Sequence, residues 1–264
     1  MACESVILCV LAGGRSRRFR ASTRSGQSKL NIRIGDQPVL AWLLQRLGPA
    51  LVAELHRLRL VASGPASPLP MRVARYERSA NFPEKKVSSP PSARLHRWLN
   101  LVPGLQTPPG ASCFERWIVD AQAYAGPLAG MRTVLHEACA LGAESRVVFV
   151  GVDAPAISEP LVARMLRRSA QAPDAIAVMG ARMSDAHHRI VEPLPSVWRA
   201  GAGVELIDRA MQQNVRGPSR LAGRAGVVLE SIHALEMPGY LNINEARDMR
   251  EASRVLQRVV SVSS

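Results

Sequence analysis

Ser5-Val-Ile-Leu-Cys-Val-Leu-Ala-Gly-Gly-Arg-Ser-Arg-Arg-Phe19 decides the fold, because a short apolar run breaks on two glycines into a basic loop. Ser5 to Leu11 is rich in strand-forming residues and, at this length, reads as a β-strand rather than a helix. Gly13 and Gly14 directly after it free the backbone to approach a ligand closely. Arg15, Arg17 and Arg18 then place guanidinium forks where a triphosphate could lie. A strand-turn that merely carries surface arginines accounts for the same residues. The loop is neither the Walker pattern nor the G-x-G-x-x-G dinucleotide fingerprint.

Outward from this loop, strand-like runs alternate with helical patterns. Val39 to Leu47 has the period of an amphipathic helix, and Leu58 to Ala62 reads as a second strand. Further strands are expected at Arg116 to Val119, Arg146 to Val150, Ala175 to Met179 and Gly226 to Glu230. Helices are expected at Ala129 to Leu141, Glu159 to Ser169, Gly203 to Gln213 and Asn244 to Val259. This alternation predicts an α/β protein with a mostly parallel central sheet and helices on both faces. A single domain over 1–260 is expected. Residues 64–112 interrupt it as an insertion rich in Pro, Ser and Arg, with a short helix around Arg94 to Leu101. The last residues, Ser261 to Ser264, are expected to fray.

With 264 residues, 47% of them hydrophobic and 21% charged, the chain can bury a sizeable core. No apolar run approaches the roughly 20 residues of a membrane-spanning helix. Glu4 ahead of the first run, with no basic segment before it, argues against a signal peptide, so a cytoplasmic location is expected. Cys3, Cys9, Cys113 and Cys139 show neither metal-ligand nor disulfide-framework spacing and read as reduced thiols. The formal charge of +13 invites a nucleic-acid reading, but aromatics are only 4%, the arginines are dispersed and no recognition motif is present. An affinity for anions is what the charge supports, with no specific nucleic acid and no membrane as partner. The basic residues are nearly all arginine; the lysines are Lys29, Lys85 and Lys86. A lysine kept at Lys29, beside the glycine loop, suggests a task for a compact ammonium, against the plain alternative of chance retention.

Three more segments carry chemistry. Gly126-Pro-Leu-Ala-Gly130 opens a helix whose N-terminal N–H groups favour an anion or an electron-rich base edge, or is an ordinary helix start. Val147-Val-Phe-Val-Gly-Val-Asp-Ala-Pro155 runs a buried strand into Asp153, where open α/β sheets place their ligands. A hard carboxylate there suits Mg²⁺, and helix capping is the other reading. His187-His188 beside Asp185 imitates a metal pair, yet neighbours on a strand face opposite ways, so a polar edge or turn is the better reading. Arg216 to Arg224 either grips a second substrate's phosphate or forms a solvated basic loop.

Taken in order, Leu11-Ala-Gly-Gly14 with Ser16, Arg18 and Phe19, Gly26-Gln-Ser-Lys29, the Gly126 turn, strand-Asp153-Ala-Pro155, Glu192-Pro-Leu194 and Leu241-Asn-Ile-Asn244 resemble the molybdenum cofactor guanylyltransferases, of the MobA-like NTP transferase family. The resemblance spans nearly the whole chain outside the Pro-rich stretch. It implies a Rossmann-like nucleotidyltransferase fold and transfer of GMP from GTP to the terminal phosphate of molybdopterin, with release of pyrophosphate. It also implies that Leu11, Ala12, Gly13, Gly14, Arg15 and Ser16 hold the nucleotide, that Arg18 and Lys29 neutralise its triphosphate, and that Asp153 binds Mg²⁺. Asp120, with Pro127, Leu128, Ala129 and Gly130 beside it, would read the base. Asn242 and Asn244 would lie on the side of the second, pterin substrate. Catalysis would fall to Lys29, Arg18 and Asp153.

Several positions depart from the family pattern. Arg20 to Ser25 interrupt the first motif, Ser28 stands where an acid is expected, and Glu245-Ala-Arg-Asp248 replaces the usual residues after the asparagine pair. Ser63 occupies the place read as that of a base-contacting asparagine after the second strand. The alternatives are a cytidylyltransferase for the same acceptor, a transferase for another phosphorylated acceptor, and a catalytically weak nucleotide-binding protein of the same fold. Glycine rather than alanine at Gly13 favours guanine.

Overall fold

A computed structural model describes residues 5–12, 21, 29–63, 95–101, 108–120, 126–184, 187–245 and 247–263. The chain runs through β1 (Val6–Leu11), the short strands β2 (Arg33–Ile34) and β3 (Gln37–Pro38), α1 (Val39–Ser63), β4 (Leu95–Leu101), β5 (Arg116–Val119), α2 (Pro127–Ala138) and β6 (Arg146–Gly151). It continues with α3 (Glu159–Gln171), β7 (Ala177–Met183), β8 (Arg189–Arg199), α4 (Ala200–Gln212), β9 (Val227–Ser231) and α5 (Asp248–Ser263). Among the described residues a seven-stranded sheet has the order β5-β4-β1-β6-β8-β7-β9. β8 alone runs antiparallel to its neighbours, so the sheet is mostly parallel, as expected.

Side chains on successive strand residues face opposite ways, and the core divides accordingly. Val6, Leu8 and Val10 of β1, with Val148 and Val150 of β6, pack with α1, α3 and Ala252 of α5. Ile7, Cys9, Val147 and Phe149 face the other layer, which holds α2 and α4. Burial on both faces explains why β1 and β6 read as continuous apolar runs. Among the described residues no helix is long and apolar enough to cross a membrane.

Two expected elements are corrected. Leu58 to Ala62 is not a strand but the last part of α1, which runs through Gly48-Pro49 without ending. The reason is a leucine stripe, Leu40, Leu43, Leu44, Leu47, Leu51 and Leu55, that is buried throughout. At about 2 kcal/mol for each leucine, this burial outweighs the roughly 3 kcal/mol cost of an interior proline. The expected helix around Arg94 to Leu101 is instead β4, an interior strand between β1 and β5. Leu95, Trp98 and Leu99 satisfy a helical period, but hydrogen-bonding partners on both sides decide for the strand. This part of the Pro-rich stretch therefore belongs to the sheet, while residues 64–94 lie outside the described residues.

β8 was not foreseen, because Pro193 and Pro195 argue against a strand. The ladder with β7 solves this by a shift in register: Met179 pairs with Ser196 and Gly180 with Glu192, which leaves Pro193, Leu194 and Pro195 bulged out. On the α1 side, Arg167 of α3 grips the buried Glu54 with contacts of 2.8 and 2.7 Å. The Pro155 carbonyl accepts from Trp42 Nε1 at 3.2 Å and from Arg46 at 3.1 Å, which fixes the loop after β6.

Candidate active site

Because β1, β4, β5 and β6 are parallel, their carboxyl ends, Leu11, Leu101, Val119 and Gly151, share one edge of the sheet. Ala12, buried just beyond β1, donates its N–H to the Asn100 carbonyl at 3.0 Å. Gly13, Gly14, Arg15, Ser16 and Arg18, which continue from this point, lie outside the described residues.

Asn100 and Asp120 meet on one side of that edge. Asn100 Nδ2 donates to Asp120 Oδ1 at 2.7 Å, and the Asp120 N–H donates to the Leu101 carbonyl at 2.9 Å. Both side chains are buried, and burial pushes the Asp120 carboxyl above its ordinary range, against the opposing hydrogen bond from Asn100. The Gly126 turn closes over them: Pro127 takes the first helical position of α2, where its missing N–H costs nothing, and Leu128 is buried. Ala129 donates its N–H to the Gly126 carbonyl at 3.1 Å. Gly130 is required to be small, since a Cβ there would stand 2.8 Å from Asn100 Oδ1 and 3.3 Å from each Asp120 oxygen.

Ser63 does not stand at a strand end, and the asparagine that the structure places beside Asp120 is Asn100. Ser63 ends a helix, whereas Asn100 sits near the carboxyl end of β4, the strand hydrogen-bonded to β1. The misreading followed from taking the end of α1 for the second strand. No local signal marks Asn100, since Leu95, Trp98 and Leu99 fit a helical period and pairing with β1 and β5 is what makes this segment a strand.

The second group lies past β6. Gly151 permits it, because a Cβ at that position would fall 2.5 Å from Asp153 Oδ1. Lys29 reaches Asp153 from a 3-10 turn, with Nζ 3.5 Å from Oδ2, and donates to Asn244 Oδ1 at 3.2 Å. Leu30 and Ile32, both buried, anchor the turn, and β2 and β3 follow it as a small hairpin. The Ile243 N–H donates to the Asp153 carbonyl at 2.7 Å. Lys29, Asp153 and Asn244, distant in sequence, are therefore one cluster.

A cavity of about 150 Å³ adjoins this cluster, lined by Asp153, Glu192, Pro193, Leu194, Tyr240 and Asn242 among others. The bulge of β8 supplies one wall. Glu192 accepts from Arg182 Nε at 3.0 Å. The buried Tyr240 hydroxyl has no hydrogen-bond partner among the described residues, and burial, helped by Glu192, pushes its pKa well above the ordinary phenol range. Glu192 belongs to the Glu192-Pro-Leu194 motif, whereas Tyr240 lies outside every motif read from the sequence. Of the basic loop at Arg216 to Arg224, the Arg216 carbonyl lies beside Gly126, 3.6 Å from where a Cβ would be. His187 sits in the turn between β7 and β8 with φ 57°, and no group of three or more His, Cys, Asp or Glu gathers as a metal site among the described residues.

Residues 8–225 match the model of the MobA-like NTP transferase domain. No curated protein matches the chain. Among solved structures, molybdopterin-guanine dinucleotide biosynthesis protein A from Archaeoglobus fulgidus superposes with a TM-score of 0.56 at 16% identity, covering 96% of this chain and 99% of that one. The 2-C-methyl-D-erythritol 4-phosphate cytidylyltransferase from Thermus thermophilus gives 0.54 at 14% identity, covering 97% and 100%. The enzyme of the same name from Francisella tularensis gives 0.57 at 8% identity, covering 96% and 100%. At these identities the likeness is one of fold.

Proposed function

The chain belongs to the MobA-like NTP transferase domain family, and from that premise we propose that it is a cytoplasmic, Mg²⁺-dependent guanylyltransferase moving GMP from GTP to the terminal phosphate of molybdopterin. The observation that carries the reading is the cluster of Lys29, Asp153 and Asn244 at the sheet's carboxyl edge, between the Asn100–Asp120 pair and the cavity. Asp120 offers carboxylate oxygens to a base edge, and guanine presents N–H donors side by side where cytosine presents a single amino group. The cavity beside Asp153 would take the acceptor.

In the proposed reaction an oxygen of the acceptor phosphate attacks the α-phosphorus of GTP in line, the bond to the bridging oxygen breaks and pyrophosphate leaves with its electron pair. Lys29, and Arg18 of the glycine loop, would neutralise the triphosphate and the departing charge. Asp153 fits a divalent ion, since it is a part-exposed carboxylate at the strand end, and the remaining ligands would be phosphate oxygens and water. Mg²⁺ held there supplies charge neutralisation and Lewis acidity at the phosphate. The protein's share is positioning, with no covalent intermediate.

The cytidylyltransferases among the structural neighbours favour one second reading, a CTP-dependent transfer. A thermal-shift series over the four nucleoside triphosphates with Mg²⁺ separates the two. GTP is expected to raise the melting temperature most; a larger shift with CTP would support cytidylyl transfer instead.

Tyr240 tests the place of the acceptor. A buried hydroxyl without a partner among the described residues is poised for a ligand group, and one such hydrogen bond contributes on the order of 1 kcal/mol. Tyr240→Phe is expected to raise the KM for molybdopterin about fivefold and leave that for GTP unchanged. An unchanged acceptor KM in steady-state kinetics would remove the hydroxyl from the acceptor site.

A further inference from the structure

Family resemblance places Asn244 with the second substrate, yet its side-chain oxygen is engaged elsewhere. Lys29 Nζ donates to Asn244 Oδ1 at 3.2 Å and lies 3.5 Å from Asp153 Oδ2. An ammonium has three N–H groups, so two fixed acceptors leave one for a phosphate oxygen and set its direction. With Asp153 alone, the four-carbon stem would let the amine swing about one carboxylate.

The acceptor oxygen of Asn244 is held by its backbone. The N–H groups of Asn244 and Glu245 both donate to Asp248 Oδ2 at 2.8 Å, at the start of α5. On the other side, Ile243, fully buried, donates its N–H to the Asp153 carbonyl at 2.7 Å. The segment 243–245 is thus fastened both to the loop that carries Asp153 and to α5. Glu245-Ala-Arg-Asp248, read from the sequence as a departure, keeps the carboxylate that does this.

We propose that Asn244 is a positioning residue for Lys29, held in turn by Asp248, and acts on the transfer step rather than on acceptor binding. The proposal rests on the reading of Lys29 as the cation that faces the triphosphate. The two roles open to Asn244 use different atoms: holding Lys29 uses Oδ1, whereas donating to the acceptor would use the amide N–H groups.

The test has an arm that needs no turnover. Lys29, Lys85 and Lys86 are the chain's lysines, so acetic anhydride labelling of the full-length protein at fixed pH, read by peptide mass spectrometry, reports Lys29 against two internal references. Asn244 is exposed, so its truncation leaves the core intact. Asn244→Ala is expected to label at Lys29 severalfold faster than wild type, and Asp248→Ala to do the same. Asn244→Asp, which keeps the acceptor oxygen, is expected to label no faster than wild type. In steady-state kinetics with GTP and molybdopterin, Asn244→Ala is expected to lower kcat about tenfold with the acceptor KM within twofold, and Asn244→Asp to recover part of the loss. Unchanged Lys29 labelling in Asn244→Ala overturns the proposal. So does a rise in acceptor KM at constant kcat that is shared by the Ala and Asp variants. A wild-type protein without transferase activity would instead count against the proposed function, while labelling would still decide the Lys29–Asn244 contact.

Discussion

Asp153→Asn is expected to lower turnover by a hundredfold or more while the protein remains folded. The substitution keeps the shape of the side chain and removes its charge. The backbone carbonyl would still accept from Ile243, and the Pro155 carbonyl would still be held by Trp42 and Arg46, so the loop keeps its course. What is lost is the carboxylate that pairs with Lys29 and would hold the divalent ion. Removing one preorganised group that stabilises transferring charge typically costs on the order of a hundredfold or more in rate. Circular dichroism checks the fold and pyrophosphate release checks the rate. A wild-type rate in Asp153→Asn would end the assignment of the metal to this residue.

Lys29→Arg gives the second large effect. Charge is preserved, so GTP binding should stay within about tenfold, or roughly 1.4 kcal/mol. Turnover should fall on the order of a hundredfold, since a planar fork cannot aim one N–H at the transferring phosphate from between two acceptors as a compact ammonium does. The geometry adds a reason. The amine sits between Asp153 Oδ2 and Asn244 Oδ1 at 3.5 and 3.2 Å, and a guanidinium is larger than the group that space receives. Lys29→Ala should weaken both binding and turnover. Direct nucleotide binding beside steady-state kinetics measures the split, and unchanged turnover in Lys29→Arg would make this lysine one more surface cation.

The parts of the fold that were legible in the sequence are those whose burial is symmetric. β1 and β6 are covered on both faces and therefore print as unbroken apolar runs. β4 was hidden because His96 and Arg97 make it look like a polar helix face, although they pair with Glu115 at 3.5 and 3.4 Å. β8 was hidden by prolines that the ladder accommodates as a bulge. α1 was cut short by Gly48-Pro49, a local breaker that tertiary burial overrides. Each error has the same origin, a local signal outweighed by partners distant in the chain.

The site shows the same division. Asp153 and Lys29 could be singled out because their neighbours in sequence, a strand end and a glycine loop, mark positions where ligands approach, whereas Asp120 is implied by the family resemblance. Asn100 could not, because its place beside Asp120 depends on β4 being a strand. The Lys29–Asn244 contact spans 215 positions and leaves no local trace. The cavity wall at Glu192 and Tyr240 likewise exists only once the β8 bulge and the 3-10 segment Ala234–Tyr240 come together.

The central claim is nucleotidyl transfer, and the release of pyrophosphate from GTP tests it most directly. The purified protein should be assayed with GTP, with and without molybdopterin and with and without Mg²⁺. The account predicts pyrophosphate and a guanylylated acceptor in equal amounts, formed when acceptor and Mg²⁺ are both present. Saturable GTP binding with no pyrophosphate under any of these conditions would contradict it, and would mark the chain as a nucleotide-binding protein that keeps the fold without the reaction.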